Sequence, residues 1–174
     1  MSSNRSGLVT FKGGPVNIGG PGVKVGDAAP NFKGVTTDLK ECTLADLKGK
    51  VVLISSVPSL DTGICDISTK RFNQEAGTLG DAVVVTVSRD LPFAQKRWCG
   101  AADAKAVTCV SDFRGHEFGQ AYGLEMKDGP LAGLLARAVL VVGKDGKIVY
   151  QQIVPEIAQE PDYDKALAAA KAAL

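Results

Sequence analysis

The sequence predicts an α/β domain built on a mixed central sheet with helices on both faces. Three observations predict it. Two apolar, β-branched runs, residues 51–57 and 81–88, read as strands buried on both faces. Segments of helical period alternate with these strands and with a third, and that alternation selects a sheet covered on both sides. Gly143-Lys144-Asp145-Gly146 joins two further apolar runs through an Asp-Gly turn. That turn makes them an antiparallel hairpin, so the sheet is mixed.

Leu8-Val9-Thr10-Phe11, Lys12-Gly13-Gly14 and Pro15-Val16-Asn17-Ile18 predict an N-terminal β-hairpin, an extension over residues 7–24. Gly19-Gly20-Pro21-Gly22 follows as a loop. It lacks the Gly-Lys-Ser/Thr ending and the following helix of a phosphate cradle, which weighs against that reading. Residues 25–32 predict a turn leading into a short extended segment, and residues 43–50 a short turn before the strand at 51–57. Ile64, Ile67, Arg71 and Phe72 fall at spacings of three and four, which predicts a helix over 63–77 ending at Gly77. Pro92 suits the first turn of a short helix over 91–99. Residues 106–110 are a third strand and 117–122 a short helix. Residues 138–142 and 147–151 form the Asp-Gly hairpin, and an alanine-rich helix over 161–174 closes the chain. This order best matches a thioredoxin-like fold, with a flavodoxin-like sheet as the alternative.

Length and composition bound the function. The 174 residues predict one domain, 1–174, long enough to bury a core without disulfide staples. Hydrophobic residues at 45% and charged residues at 22% are those of an ordinary globular chain. A net charge of +1 with scattered Lys and Arg gives no footprint for nucleic acid or an acidic membrane surface. No apolar run is long enough for a transmembrane helix, and Met1-Ser2-Ser3-Asn4-Arg5-Ser6 lacks the apolar core of a leader. A cytoplasmic location is therefore expected. Four cysteines stand at 42, 65, 99 and 109, with a single histidine, His116. Without Cys-x-x-Cys spacing or clustered histidines, neither a zinc site nor a paired-cysteine redox motif is expected. No cofactor is implied.

Cys65 carries the sharpest signal. It lies just past a buried strand, where a helix starts. Helix N-termini hold unpaired N–H groups and partial positive charge, and a cysteine there is biased toward thiolate. Thr62, three residues earlier, can point its hydroxyl at the same sulfur. The opposing reading is a buried, inert cysteine packed as a small apolar side chain.

The pattern Pro-x-x-x-Thr-x-x-Cys in Pro58-Ser59-Leu60-Asp61-Thr62-Gly63-Ile64-Cys65 resembles the peroxidatic motif of the peroxiredoxins. With Ser68 and Arg71-Phe72-Asn73 it is similar to their thiol peroxidase branch. Ser88-Arg89-Asp90-Leu91-Pro92-Phe93-Ala94-Gln95-Lys96-Arg97-Trp98-Cys99-Gly100 resembles that branch's resolving-cysteine segment. Asp128-Gly129-Pro130-Leu131-Ala132-Gly133-Leu134-Leu135-Ala136-Arg137-Ala138-Val139 resembles its arginine-bearing segment. Val154-Pro155-Glu156-Ile157 with Glu160-Pro161-Asp162-Tyr163 is similar to its C-terminal region.

The resemblance implies reduction of hydrogen peroxide and alkyl hydroperoxides. Cys65 would be the peroxidatic cysteine and Cys99 the resolving one, joined in an intrachain disulfide and recycled by thioredoxin. It also implies a homodimer, for which residues 129–135 offer a glycine- and leucine-rich contact. Pro58 would shield the sulfenate. Arg137 would match the active-site arginine, and an arginine at the start of an apolar strand is costly unless paired or facing a site. The bland alternative is an exposed strand-entry charge. A peroxide sensor passing its oxidation to a partner is the competing function, and a binding protein with inert cysteines is the third. Cys42 reads as surface or edge and Cys109 as core. His116 reads as solvated, and Trp98 as packing that could report a redox change by fluorescence.

Overall fold

A computed structural model describes residues 3–174; Met1 and Ser2, the start of the segment read above for a leader, lie outside the described residues. The strands are β1 (Arg5–Phe11), β2 (Gly14–Ile18), β3 (Lys33–Thr36), β4 (Glu41–Thr43), β5 (Val52–Ser56), β6 (Val83–Ser88), β7 (Val107–Ser111), β8 (Ala138–Val142) and β9 (Ile148–Ile153). The helices are α1 (Gly63–Glu75), α2 (Pro92–Ala101), α3 (Glu117–Ala121) and α4 (Tyr163–Ala172).

Seven strands form one sheet in the order β4-β3-β7-β6-β5-β8-β9, and β1-β2 form a separate hairpin. The β5-β6 and β6-β7 pairs are parallel, while β3, β8 and β9 join antiparallel, so the sheet is mixed as expected. Every residue of β5 and β8 is buried, as a centre covered on both faces requires. One face packs Phe72 of α1, Trp98 of α2 and Leu167 of α4 against Leu53, Val84 and Val141. The other packs Phe118 and Tyr122 around α3 with Phe32 against Ile54, Val85 and Leu140.

Differences from expectation lie at the edges. β3 and β4 are too short and too polar to show period-two alternation. β3 is a strand because β7 supplies Val110 and Ser111 as antiparallel partners for Thr36 and Val35, and β4 is one because β3 in turn pairs with it. α1 stops at Glu75, and Gly77 falls in a following 3₁₀ turn, Ala76–Thr78. The segment at 43–50 is a short turn as expected, with a 3₁₀ stretch, Leu44–Leu47, started by a capping box between Thr43 and Asp46.

Two side-chain links fix α1, the element that matters most for function. Asn73 accepts from the backbone N–H of Ala106 at 2.8 Å, tying α1 to the start of β7. Phe72 meets Tyr163 edge-on at 5.3 Å between ring centres, tying it to α4. The N-terminal hairpin is pinned to the segment after β9: Thr10 N–H donates to Pro155 O at 2.7 Å, and Ile157 N–H to Thr10 O at 2.9 Å.

Candidate active site

β5 ends at Ser56, the chain turns through Pro58 to Asp61, and α1 begins at Gly63 with Thr62 as its N-cap residue. Asp90, just after β6, holds this turn. Its carboxylate accepts from Ser59 Oγ at 2.7 Å, Leu60 N–H at 2.8 Å and Ser88 Oγ at 2.7 Å. A carboxylate taking three such bonds fixes the turn far better than neutral contacts do. In the sequence Asp90 stands out only as one residue of the 88–100 segment. Its role depends on two loops meeting, and no spacing reveals that.

Cys65 lies in the first turn of α1 and is fully buried. Thr62 makes no capping bond with its side chain. Its hydroxyl instead lies 2.7 Å from Cys65 Sγ and 3.0 Å from Ser59 O. One proton cannot serve both acceptors. With a thiol, Cys65 donates to Thr62, which donates to Ser59; with a thiolate, Thr62 turns its proton to the sulfur. Thr62→Val should therefore lower peroxidase kcat/KM by about 10- to 100-fold, the scale of one hydrogen bond to a charged group, and Thr62→Ser should retain most of it. Equal activity in the Val variant would remove Thr62 from the site.

Arg137 immediately precedes β8 and is 2% exposed, so the exposed-charge reading does not hold for it. Its Nε donates to Ile157 O at 3.0 Å, and its Nη2 lies 3.4 Å from Cys65 Sγ. Its Nη1 is buried and has no hydrogen-bond partner among the described residues. Buried donors are rarely left so, and at this position the open N–H is available to a substrate oxygen. The hairpin thus acts at a distance: by fixing Ile157, it fixes the carbonyl that orients the guanidinium. A pocket of about 430 Å³ opens over this corner, lined by Pro58, Thr62, Ile64, Leu131, Arg137 and Phe11 of the hairpin. Its walls are largely apolar, with few placed polar groups, as in small-molecule sites generally.

The loop that leads to Arg137 is held by a second arginine. Arg89 donates to Glu125 at 2.8 Å and to Gly133 O at 2.6 Å, and lies 3.3 Å from Asp112. Burial works against ionisation of Glu125, but hydrogen bonds from Lys127 and Arg89 outweigh it and hold the carboxyl below its ordinary range. A carboxylate lowered in the folded state stabilises above its unfolded pKa, and that stability is lost as pH falls through the folded value. Glu125→Gln should thus lose on the order of 1 kcal/mol at pH 7 and show a shallower acid limb below about pH 4.5. Denaturant midpoints across pH check this, and an unchanged acid limb would contradict it.

The structure brings Pro58, Thr62, Cys65 and Arg137 together. It does not join Cys99 to Cys65: all four cysteines are free. Cys99, in the last turn of α2, instead has its sulfur 3.3 Å from Cys109 Sγ on β7. α2 does reach the start of α1: Trp98 Nε1 donates to Asp66 in its first turn at 2.8 Å, and Arg97 donates to Asp61 in the turn before it at 2.6 Å. Trp98 is thus both packed and hydrogen-bonded. Cys109 is in the core as expected, and Cys42 is half-buried on the edge strand β4. His116 is half-buried and precedes α3 with a left-handed backbone, φ 56°. Among the described residues no group of three or more His, Cys, Asp or Glu is placed to hold a metal, and no helix is long and apolar enough to cross a membrane.

Comparison with known proteins gives the family of the chain. Residues 24–167 match the family described as Redoxin. The thiol peroxidase of Bacillus subtilis (strain 168) is 52% identical over 164 residues, spanning 94% of this chain and 96% of that protein. The thiol peroxidase of Halalkalibacterium halodurans is 51% identical over 166 residues, spanning 95% and 98%. A crystal structure of a peroxiredoxin-like protein from Aquifex aeolicus superposes with a TM-score of 0.92 at 43% identity, covering 98% of this chain and 99% of that one. Thiol peroxidase from Chromobacterium violaceum, at 18% identity and a TM-score of 0.83 over 90% and 91% of the two chains, shares the fold.

Proposed function

This chain belongs to the redoxin family and, within it, to the thiol peroxidases, and on that premise we propose that its peroxide chemistry runs from Cys65 to Cys99 within one chain. The Cys65 thiolate attacks one peroxide oxygen, the O–O bond breaks, and the other oxygen leaves as hydroxide or alkoxide. Thr62 holds the attacking sulfur by its hydroxyl. Arg137 offers its unpartnered Nη1 to the departing oxygen, where a fixed donor in a water-poor site acts most strongly. Pro58 covers the resulting sulfenic acid. The observation that carries this reading is the buried sulfur held between Thr62 and Arg137 beneath an apolar pocket.

Cys99 then attacks the sulfenic sulfur, water leaves, and the disulfide is reopened by thioredoxin through thiol–disulfide exchange. Because Cys99 rests beside Cys109, the last turn of α2 opens for this step. The chain works as a single cytoplasmic domain paired as a homodimer, with residues 129–135 at the contact. Turnover with thioredoxin, thioredoxin reductase and NADPH tests the cycle. Cys99→Ser should still consume a first equivalent of peroxide to give the Cys65 sulfenic acid, lose at least about tenfold in steady-state rate, and accumulate Cys65 sulfinic acid only as a second equivalent is consumed. Undiminished turnover in that variant would remove Cys99 as resolver. A single oxidation ending in a mixed disulfide with another protein would favour the sensor reading.

A further inference from the structure

We propose that Cys109 is a third redox-active thiol, which takes Cys99 over from Cys65 so that the disulfide presented to the reductant is Cys99–Cys109. The inference rests on the Cys65–Cys99 step above and adds one exchange to it. Cys109 Sγ and Cys99 Sγ lie 3.3 Å apart in the reduced fold. Bonding needs them only about 1.3 Å closer, within side-chain rotation.

The exchange balances without any further oxidant. The Cys109 sulfur, as thiolate, attacks Cys99 Sγ, and the Cys109–Cys99 bond forms as the Cys99–Cys65 bond breaks. The electron pair leaves with Cys65, and the proton from Cys109 passes to solvent. Cys109 is oxidised and Cys65 is reduced. The departing Cys65 sulfur returns to the helix start, where Thr62 and Arg137 are placed to donate hydrogen bonds to it.

Local structure favours the same direction. Cys99 O accepts from Ala104 N–H at 2.9 Å, and neighbouring Trp98 donates to Asp66 at 2.8 Å. Reaching Cys65 opens this turn, and returning to Cys109 restores it. In the reduced protein the hydrogen bond to Cys99 and burial push the Cys109 thiol up, while the same hydrogen bond pulls Cys99 down against its burial. Cys109 is thereby protected at rest. The largest of those effects disappears once the Cys99 sulfur is tied into a disulfide. A cleft of about 480 Å³, lined by Cys99, Cys109, Cys42, Lys40, Asp38 and Thr108, opens beside the pair and gives an external dithiol a way in.

Peroxide titration without reductant, followed by mapping of linked peptides, tests the relay. Wild type should consume about two equivalents per chain, ending with a Cys99–Cys109 bridge and a Cys65 sulfenic acid. Cys109→Ala and Cys109→Ser, checked for folding by circular dichroism, should consume about one and stop at Cys65–Cys99. Cys65→Ser should form no bridge. A wild-type bridge confined to Cys65–Cys99, or a Cys99–Cys109 bridge forming equally fast in Cys65→Ser, overturns the relay. Absence of Cys65–Cys99 in both Cys109 variants overturns the underlying cycle as well.

Discussion

Cys65→Ser abolishes peroxide consumption, with kcat/KM lower by at least about 10³-fold, while the fold is unchanged. Serine nearly matches cysteine in size, so the buried first turn of α1 can keep its packing. What it removes is ionisation: a hydroxyl stays protonated under conditions where a thiolate forms at a helix start. The Thr62 and Arg137 contacts cannot compensate, because both act on a sulfur already able to carry charge. Stopped-flow peroxide consumption with circular dichroism checks both halves of this expectation. Residual activity of wild-type size would return Cys65 to an inert core position and reopen the binding-protein reading.

Arg137→Met gives the second large effect, and its two halves point in opposite directions. Peroxidase kcat/KM should fall by about 10²- to 10³-fold, the scale of losing one fixed donor to a developing oxyanion. Stability should hold or rise. A guanidinium that is 2% exposed and leaves Nη1 unpartnered is an expensive element of a core, and an apolar side chain of similar length relieves that cost. The orphaned Ile157 carbonyl offsets part of the gain. Arg137→Lys should not restore the rate, since a point charge cannot reach Ile157 O, the Cys65 sulfur and a substrate oxygen together. Chemical denaturation beside the rate measurement separates these outcomes. A variant that loses stability and keeps its rate would make Arg137 structural.

The frame of the fold was legible because its centre is strongly patterned. The runs that become β5, β6 and β8 are nearly continuous in apolar residues, and Asp145-Gly146 supplies a turn with a backbone reason: Gly146 sits at φ 82°. β3 and β4 were not legible, since three or four residues including Lys33, Gly34 and Glu41 carry no period and become strands only by pairing, β3 with β7 and β4 with β3. At the site, Cys65 and Thr62 were readable because a helix start at short range dictates their meeting. Arg137 needed the resemblance, because 72 residues separate it from the sulfur it faces. Asp90, Arg89 and the approach of Cys109 to Cys99 were invisible, as each depends on where separate loops or elements pack.

The central claim is that peroxide oxidises Cys65, held by Thr62 and Arg137, before any other thiol. The most direct measurement adds one equivalent of hydrogen peroxide and dimedone to reduced Cys99→Ser protein and maps the labelled peptide by mass spectrometry. The account predicts one dimedone adduct per chain, on Cys65, lost in the Cys65→Ser/Cys99→Ser double variant. An adduct on Cys42 or Cys109 instead, or none at all, would contradict it.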